Sequence, residues 1–353
     1  MQPRAFLILL LATLLVVTAA AAVALLNPVA KVGGITSVPA LPLLAERSVA
    51  PSAIEVTNAA GGYRLEWRDG AADAEGQWVL ASKDGYPAES EQVRRLLAEL
   101  AALRLSERLT ADPARLPRLQ LEPLDAPDAR SQRLRVLAAD GSLLADLFVG
   151  RSVSRLVDDS EGGTYVRLGE GTQAWLVAGR LTLPDDGLGF VDRRITTLPD
   201  DTIRRVVITH PDGTVVLAER QKGEALLTVK AGLPEATPAD PAKLRRLAQL
   251  LELLSFEDVA AAAKVPFPDE TVHTTVTSFD GIEMRLTLAE IDGAFWLRLS
   301  ANLAEEHSPV PERKEGAERF TAELDARAEG WAFRLTEAAF ERLTVAPAAL
   351  TGQ

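Results

Sequence analysis

Cysteine is absent from the 353 residues and histidine occurs three times, as His210, His273 and His307. Without cysteine there are no disulfides, thiolate metal sites, cysteine nucleophile or lipid-modified cysteine anchor. The three histidines sit in dissimilar contexts: His210 ends a strand, His273 begins one, and His307 lies in a Pro-flanked loop. No metal site is expected from them. Aromatic residues reach only 5%, which is thin for a glycan-binding surface. Basic residues fall short of acidic ones, 38 against 50, for a net charge of −12. Phosphate contacts need clustered Lys and Arg, so no nucleic-acid partner is expected. Gly-x-x-x-x-Gly-Lys-Ser/Thr, Gly-x-Ser-x-Gly and His-Glu-x-x-His are all missing. Those absences remove an ATP-binding phosphate loop, the commonest serine nucleophile and a zinc-protease helix.

What is present is 47% hydrophobic and 25% charged residues, enough to bury a core in each of two ordinary domains. Residues 5–26 carry no charge, and only Thr13 and Thr18 among them are polar. As a helix they would span roughly 33 Å, matching a hydrocarbon core of about 30 Å. Arg4 precedes them and no acidic residue occurs before Glu46. That asymmetry predicts a single-pass inner-membrane helix, with a cytoplasmic N-terminus and the bulk of the chain in the periplasm. A cleavable signal peptide is the alternative, with small residues at 20–24 for cleavage, although signal cores are usually only about 7–15 residues. Either reading exports residues 30–353. The bilayer, through residues 5–26, is thus the first expected partner. Residues 31–52, with Gly33, Gly34, Pro39, Pro42 and Pro51, read as a tether.

The most informative feature is an internal repeat. Val93, Leu96, Leu97, Leu100 and Leu103 form one apolar helical face over residues 91–105. Leu244, Leu247, Ala248, Leu251 and Leu254 repeat that spacing 151 positions later. Arg94–Arg95 and Arg245–Arg246 take equivalent places on the polar side, and Asp240-Pro241 marks the second helix start. Upstream, strands are predicted over 54–57, 63–67 and 78–81, and again over 206–209, 214–218 and 225–229. Downstream, residues 134–138 and 143–149 flank Asp140-Gly141, as 274–279 and 283–289 flank Asp280-Gly281. A further strand follows in each copy, at 164–168 and 294–299, then an aromatic-led segment at 175–177 and 331–335. A short helix over 337–343 ends the chain. The fold expected is α+β: two tandem repeats of mainly antiparallel sheet with one amphipathic helix each, plus the N-terminal transmembrane helix. The divisions expected are an anchor (1–30), a tether (31–52), a first repeat (53–183), a linker (184–202) and a second repeat (203–346).

Tryptophan-bearing strands, a helix of the Val93-Arg-Arg-Leu-Leu type, a hairpin, then Gly163-Thr-Tyr-Val-Arg-Leu and Trp175-Leu-Val form an ordered pattern over most of residues 54–345. The pattern resembles the bacterial membrane-anchored family known as domain of unknown function 4340. That family often shows Tyr-Gly-Leu followed by proline between helix and hairpin, where this chain reads Leu119-Gln-Leu-Glu-Pro-Leu-Asp-Ala-Pro127. Its members are commonly encoded beside ABC-transporter subunits similar to those of gliding-motility machinery. The resemblance therefore implies an envelope component with an ABC ATPase and permease as partners, and it supplies no catalytic residues.

The acidic stretch Asp158-Asp159-Ser160-Glu161-Gly162-Gly163 offers oxygen ligands but lacks the spacing of a calcium loop, and reads as a solvated hairpin. Asp185–Asp186 and Asp200–Asp201 read as turn acids. The paired arginines could meet an anionic polymer or partner, but read more plainly as a solvated helix face. Trp67, Trp78, Trp175, Trp296 and Trp331 could line a groove, but strand placement points to the core. No catalytic, cofactor-binding or metal-binding residue is therefore assigned, and no cofactor is expected. The leading expectation is a non-enzymatic scaffolding subunit. The alternatives are an extracytoplasmic ligand- or polymer-binding module using a cleft between the repeats, and a hydrolase with a buried carboxylate or Ser–Lys pair.

Overall fold

The computed structural model describes residues 38–70, 76–154, 162–234, 237–304 and 311–351. The apolar run at 5–26 lies outside them. Among the described residues no helix is long and apolar enough to cross a membrane. The architecture is a mixture of helices and mostly antiparallel sheets.

The chain begins with α1 (Pro42–Glu46), β1 (Pro51–Asn58), β2 (Gly61–Arg68), β3 (Gln77–Leu80), β4 (Tyr86–Pro87) and α2 (Ser90–Ala102). Then come β5 (Arg104–Arg108), β6 (Gln132–Ala138), β7 (Leu143–Val153), β8 (Gly163–Leu168), β9 (Ala174–Ala178) and β10 (Arg194–Thr196). The remainder comprises β11 (Ile203–Thr209), β12 (Val215–Glu219), β13 (Thr228–Ala231), α3 (Pro241–Ala248), β14 (Leu254–Ser255) and β15 (Asp258–Ala261). It closes with β16 (Val272–Ser278), β17 (Ile282–Ile291), β18 (Ala294–Leu303), α4 (Pro311–Ala328), β19 (Trp331–Leu335) and α5 (Glu337–Leu343).

One sheet runs β4-β3-β2-β1-β6-β7-β8-β9-β5 and another β13-β12-β11-β16-β17-β18-β19-β15; β10 and β14 form a small ribbon. Apart from the extra edge strand β4, the two orders are the same threading, so the repeat in sequence is a repeat in topology. In each copy a strand that follows the helix, β5 in the first and β15 in the second, crosses to the far edge, while a tight hairpin builds the centre. At Asp140-Gly141 the Asp140 carboxylate accepts from Ser142 N at 2.9 Å, and Gly141 takes φ 82°. At Asp280-Gly281 the Ser278 hydroxyl serves instead, accepting from Ile282 N at 3.0 Å. The duplication extends to each copy's end. Glu89 N donates to Phe190 O and Asp240 N to Leu350 O, both at 2.8 Å and 151 residues apart on the donor side. The short 3-10 turns Gly187–Phe190 and Pro347–Leu350 are thus equivalent closing elements.

By compactness the chain divides into residues 1–62 with 94–183, and residues 63–93 with 184–353. In the first unit the edge strand β5 is covered on its free side: Leu105 N donates to Val38 O at 3.2 Å and Ala40 N to Leu103 O at 3.0 Å. Ala40, Leu41 and Leu44 are buried, so residues 38–46, within the expected tether, are packed onto the unit. This blunts an edge that would otherwise offer unpaired backbone groups. Strand β7 is buried on both faces, with Leu147 and Val149 pointing one way and Phe148 the other. Phe148 joins Leu116, Leu121 and Ala174 in a separate small core.

In the second unit α4 lies along β18, with Asp325 accepting from Ala301 N at 3.2 Å. This helix corrects the expectation of one helix per repeat. Both expected helices are also shorter than their apolar runs. The first ends at Ala102 because Arg104–Arg108 pairs with β9, and the second at Ala248 because Leu254 pairs with Thr196. The strand expected over 225–229 forms at Thr228–Ala231.

Tyr86 (3% exposed) meets Trp331, Phe256 and Phe333 edge-on, with ring centroids 4.9, 5.8 and 6.2 Å away. Burial pushes its phenol up to about 12. Tyr63 is raised further, by burial and then by Asp186 and Asp185, and its Oη has no hydrogen-bond partner among the described residues. An unfolded tyrosine ionises near 10, so from about pH 10 to 12 the folded chain holds protons that the unfolded chain releases. The contribution of these tyrosines to stability is therefore full below pH 10 and falls as pH rises, by up to about 1.4 kcal/mol per pH unit for each such group. Urea midpoints at pH 9 and 11 should show this fall, and Tyr86→Phe should make it shallower; an unchanged slope in that variant would refute the assignment.

Candidate functional site

The residues singled out from sequence fall into three sets. Residues 158–161 of the acidic stretch, and His307, lie outside the described residues. A second set is engaged structurally. His210 Nε2 lies 3.3 Å from Val345 O, and His273 sits between the hydroxyls of Thr271 at 3.1 Å and Thr287 at 3.4 Å. Asp186 caps its 3-10 turn by accepting from Leu188 N, and the Asp200 carbonyl accepts from Arg220. Trp78 is buried and Trp175, Trp296 and Trp331 are half-buried, whereas Trp67 is 41% exposed, packs edge-on against Trp78 and donates to Asp69. Among the described residues no group of three or more His, Asp or Glu is placed to hold a metal ion.

The third set is the arginines. Arg94 and Arg95 are exposed on α2, as are Arg245 and Arg246 on α3. The second pair is split by the structure: Arg246 lines a cleft and Arg245 does not. The cleft, about 480 Å³, lies between α3, α5 and the closing turn Pro347–Leu350. Among the described residues Lys243, Arg246 and Arg342 are its cations, and Glu341 its one carboxylate. Leu247 and Leu350, both buried, give it an apolar floor, and half-buried Val345 with exposed Ala346 and Ala349 adds apolar lining nearer the surface. The walls are tied down. Thr274 Oγ1 donates to Leu343 O at 2.6 Å, Phe295 stacks on Phe340 at 4.7 Å, and Lys243 Nζ donates to Thr351 O. Arg246 and Arg342 have no ion-pair or hydrogen-bond partner among the described residues.

A smaller recess of about 210 Å³ lies beside α4, where Thr196 Oγ1 is buried without a partner. Its cations are already engaged, Arg194 with Asp192 at 2.9 Å and Arg327 with Arg194 O at 3.2 Å. The α3–α5 cleft is the more receptive of the two. Sequence alone could show the cations at 243, 246 and 342 but not their convergence, which depends on the C-terminal turn folding back over α3.

No curated protein matches the chain. The sequence model of the family described as Domain of unknown function (DUF4340) matches residues 78–273, from β3 through the helices of both copies to the start of β16, and the chain belongs to that family.

Proposed function

We propose that this protein is a non-enzymatic, membrane-anchored envelope protein whose duplicated α+β body acts as an accessory or scaffolding subunit of an ABC-transporter-type complex. The observation carrying this reading is an uncharged run at residues 5–26, behind Arg4, placed ahead of a twice-threaded sheet. The run has the length and flanking charge of an inner-membrane helix with its N-terminus in the cytoplasm. Two copies of one topology supply broad strand and helix faces for docking. The transporter partner is what a family commonly encoded beside ABC-transporter subunits leads us to expect.

Crosslinking in intact cells at native expression, followed by purification and mass spectrometry, tests the partner. An ABC ATPase and permease should be recovered in stoichiometric amounts; a chain that migrates alone refutes the scaffolding role. Topology is tested separately, because the chain has no native cysteine. Leu253→Cys, at a position 73% exposed, should react with a membrane-impermeant maleimide on spheroplasts, and Leu15→Cys should not. Equal labelling of both would overturn the anchor.

A further inference from the structure

We propose that the cleft between α3 and α5 binds a small amphiphilic anion, a phosphate monoester or carboxylate carrying a short apolar body. The protein is acidic overall, with a net charge of −12, yet among the described residues this cleft gathers three cations against one carboxylate. Two of the three are guanidiniums without a partner among the described residues, and a guanidinium offers a planar fork matched to carboxylate and phosphate oxygens. The floor is apolar, and about 480 Å³ falls within the size range of small-molecule sites. The chemistry therefore selects charge at the rim and hydrocarbon below.

The plainer account of these cations is that Arg246 and Arg342 each sit in the last turn of a helix, where a positive charge offsets the helix dipole. That account covers Arg245 equally well, and Arg245 does not line the cleft. Nor does it explain the wall opposite α3. In the first copy, residues 179–186, between β9 and the closing turn, contain no helix, whereas the second copy places α5 there. Position 92, equivalent to Lys243, is Gln92. The duplication thus kept the sheet in both copies and built the cationic cleft in one. The inference is independent of membrane anchoring and of any transporter.

The test is calorimetric titration of the full chain in zwitterionic nanodiscs with hexyl phosphate, inorganic phosphate and hexylammonium. Hexyl phosphate should bind, inorganic phosphate more weakly, and hexylammonium not at all. Arg246→Gln and Arg342→Gln should each weaken hexyl phosphate by at least about tenfold, the loss of one charge-assisted hydrogen bond. Arg245→Gln, the same charge change one residue away, should weaken it less than about twofold. Ala349→Trp, adding bulk to the apolar lining, should abolish binding without removing a charge. Dihexanoyl phosphatidate below its micelle threshold separates the sources: tighter binding than hexyl phosphate marks a lipid headgroup site, weaker binding a site for a soluble ester. Failure of hexyl phosphate to bind overturns the proposal, as does equal loss in Arg245→Gln and Arg246→Gln, or equal binding of hexyl and inorganic phosphate.

Discussion

Replacing Arg167 with methionine should destabilise the first compact unit by about 3 kcal/mol or more, lowering its melting temperature by about 6–12 °C. Arg167 is 6% exposed on β8, directly opposite Phe148 of β7. Its guanidinium carbon lies 3.7 Å from the Phe148 ring centroid. Its Nε donates to Leu121 O at 3.3 Å, and its Nη1 to Gly171 O at 2.9 Å and Gly169 O at 3.3 Å. One side chain therefore satisfies three carbonyls and pins the 3-10 segment Pro113–Leu119, with the residues after it, onto the sheet. Burial lowers its pKa from the ordinary arginine value, which marks the cost of desolvating it. Methionine keeps most of the volume but strands the carbonyls, and each unsatisfied buried polar group costs about 1–3 kcal/mol. Lysine should recover less than half of the loss, because a single ammonium cannot fork to three acceptors or stack flat on a ring. Hydrogen exchange on β7 and β8 checks the claim. Protection unchanged in Arg167→Met would show that water replaces the clamp.

The same device recurs in the second copy. Arg298 of β18, facing Thr287 of β17, lies 4.3 Å from the Phe267 ring centroid. Its Nη2 donates to Ala262 O and Val265 O, just beyond edge strand β15. In both copies, then, an arginine ties the connection after the edge strand back over the sheet. The sequence held the sign of this, Val-Arg-Leu at 166–168 against Leu-Arg-Leu at 297–299, but alternation alone reads an arginine in a strand as a solvent-facing residue. Only the loops it reaches show that it points inward.

Elsewhere the alternation was sufficient. The hairpins at Asp140-Gly141 and Asp280-Gly281, and the strands closing each copy, lie where turn chemistry and period-two patterning place them. Helix α4 escaped because its buried positions are Ala317, Thr321, Leu324 and Ala328, and that face is nearly silent in an apolar count. The ends of α2 and α3 escaped for the opposite reason. Leu103, Leu251 and Leu254 keep the helical spacing and are buried, but they reach the core from turns and strand starts, because strand pairing, at the sheet edge in the first copy and in the β10–β14 ribbon in the second, overrides helix propagation. The candidate cleft was legible only as scattered cations.

The second large effect belongs to Phe333. Truncation to alanine should destabilise the second unit by about 3–5 kcal/mol, since Phe333 is 1% exposed and pairs with Val259 on one side and Leu297 on the other. Its ring lies 5.2 Å from Phe256 and 6.2 Å from Tyr86. Residues 81–87 are held to β15, the turn after it and β19 by this aromatic cluster, by the hydrogen bond from Ala261 N to Asp84, and by the ion pairs of Lys83 with Asp258 at 2.7 Å and of Lys264 with Asp84. The hydrogen bond from Lys264, then that from Ala261 N, holds the Asp84 carboxyl below its ordinary range. Lys83 and Lys264 remain 33% and 67% exposed, and pairs of that kind contribute at most about 1 kcal/mol each. The aromatic rings remove far more apolar area from water, so they dominate. Urea unfolding should rank Phe333→Ala and Tyr86→Ala well above Lys83→Ala and Lys264→Ala. In the double variant Phe333→Ala/Tyr86→Ala the losses should fall short of additive by about 0.5–1.5 kcal/mol, the worth of a specific ring–ring contact. Strict additivity would reduce the cluster to buried area alone. A larger loss in Lys83→Ala than in Tyr86→Ala would instead make electrostatics the fastening of this segment.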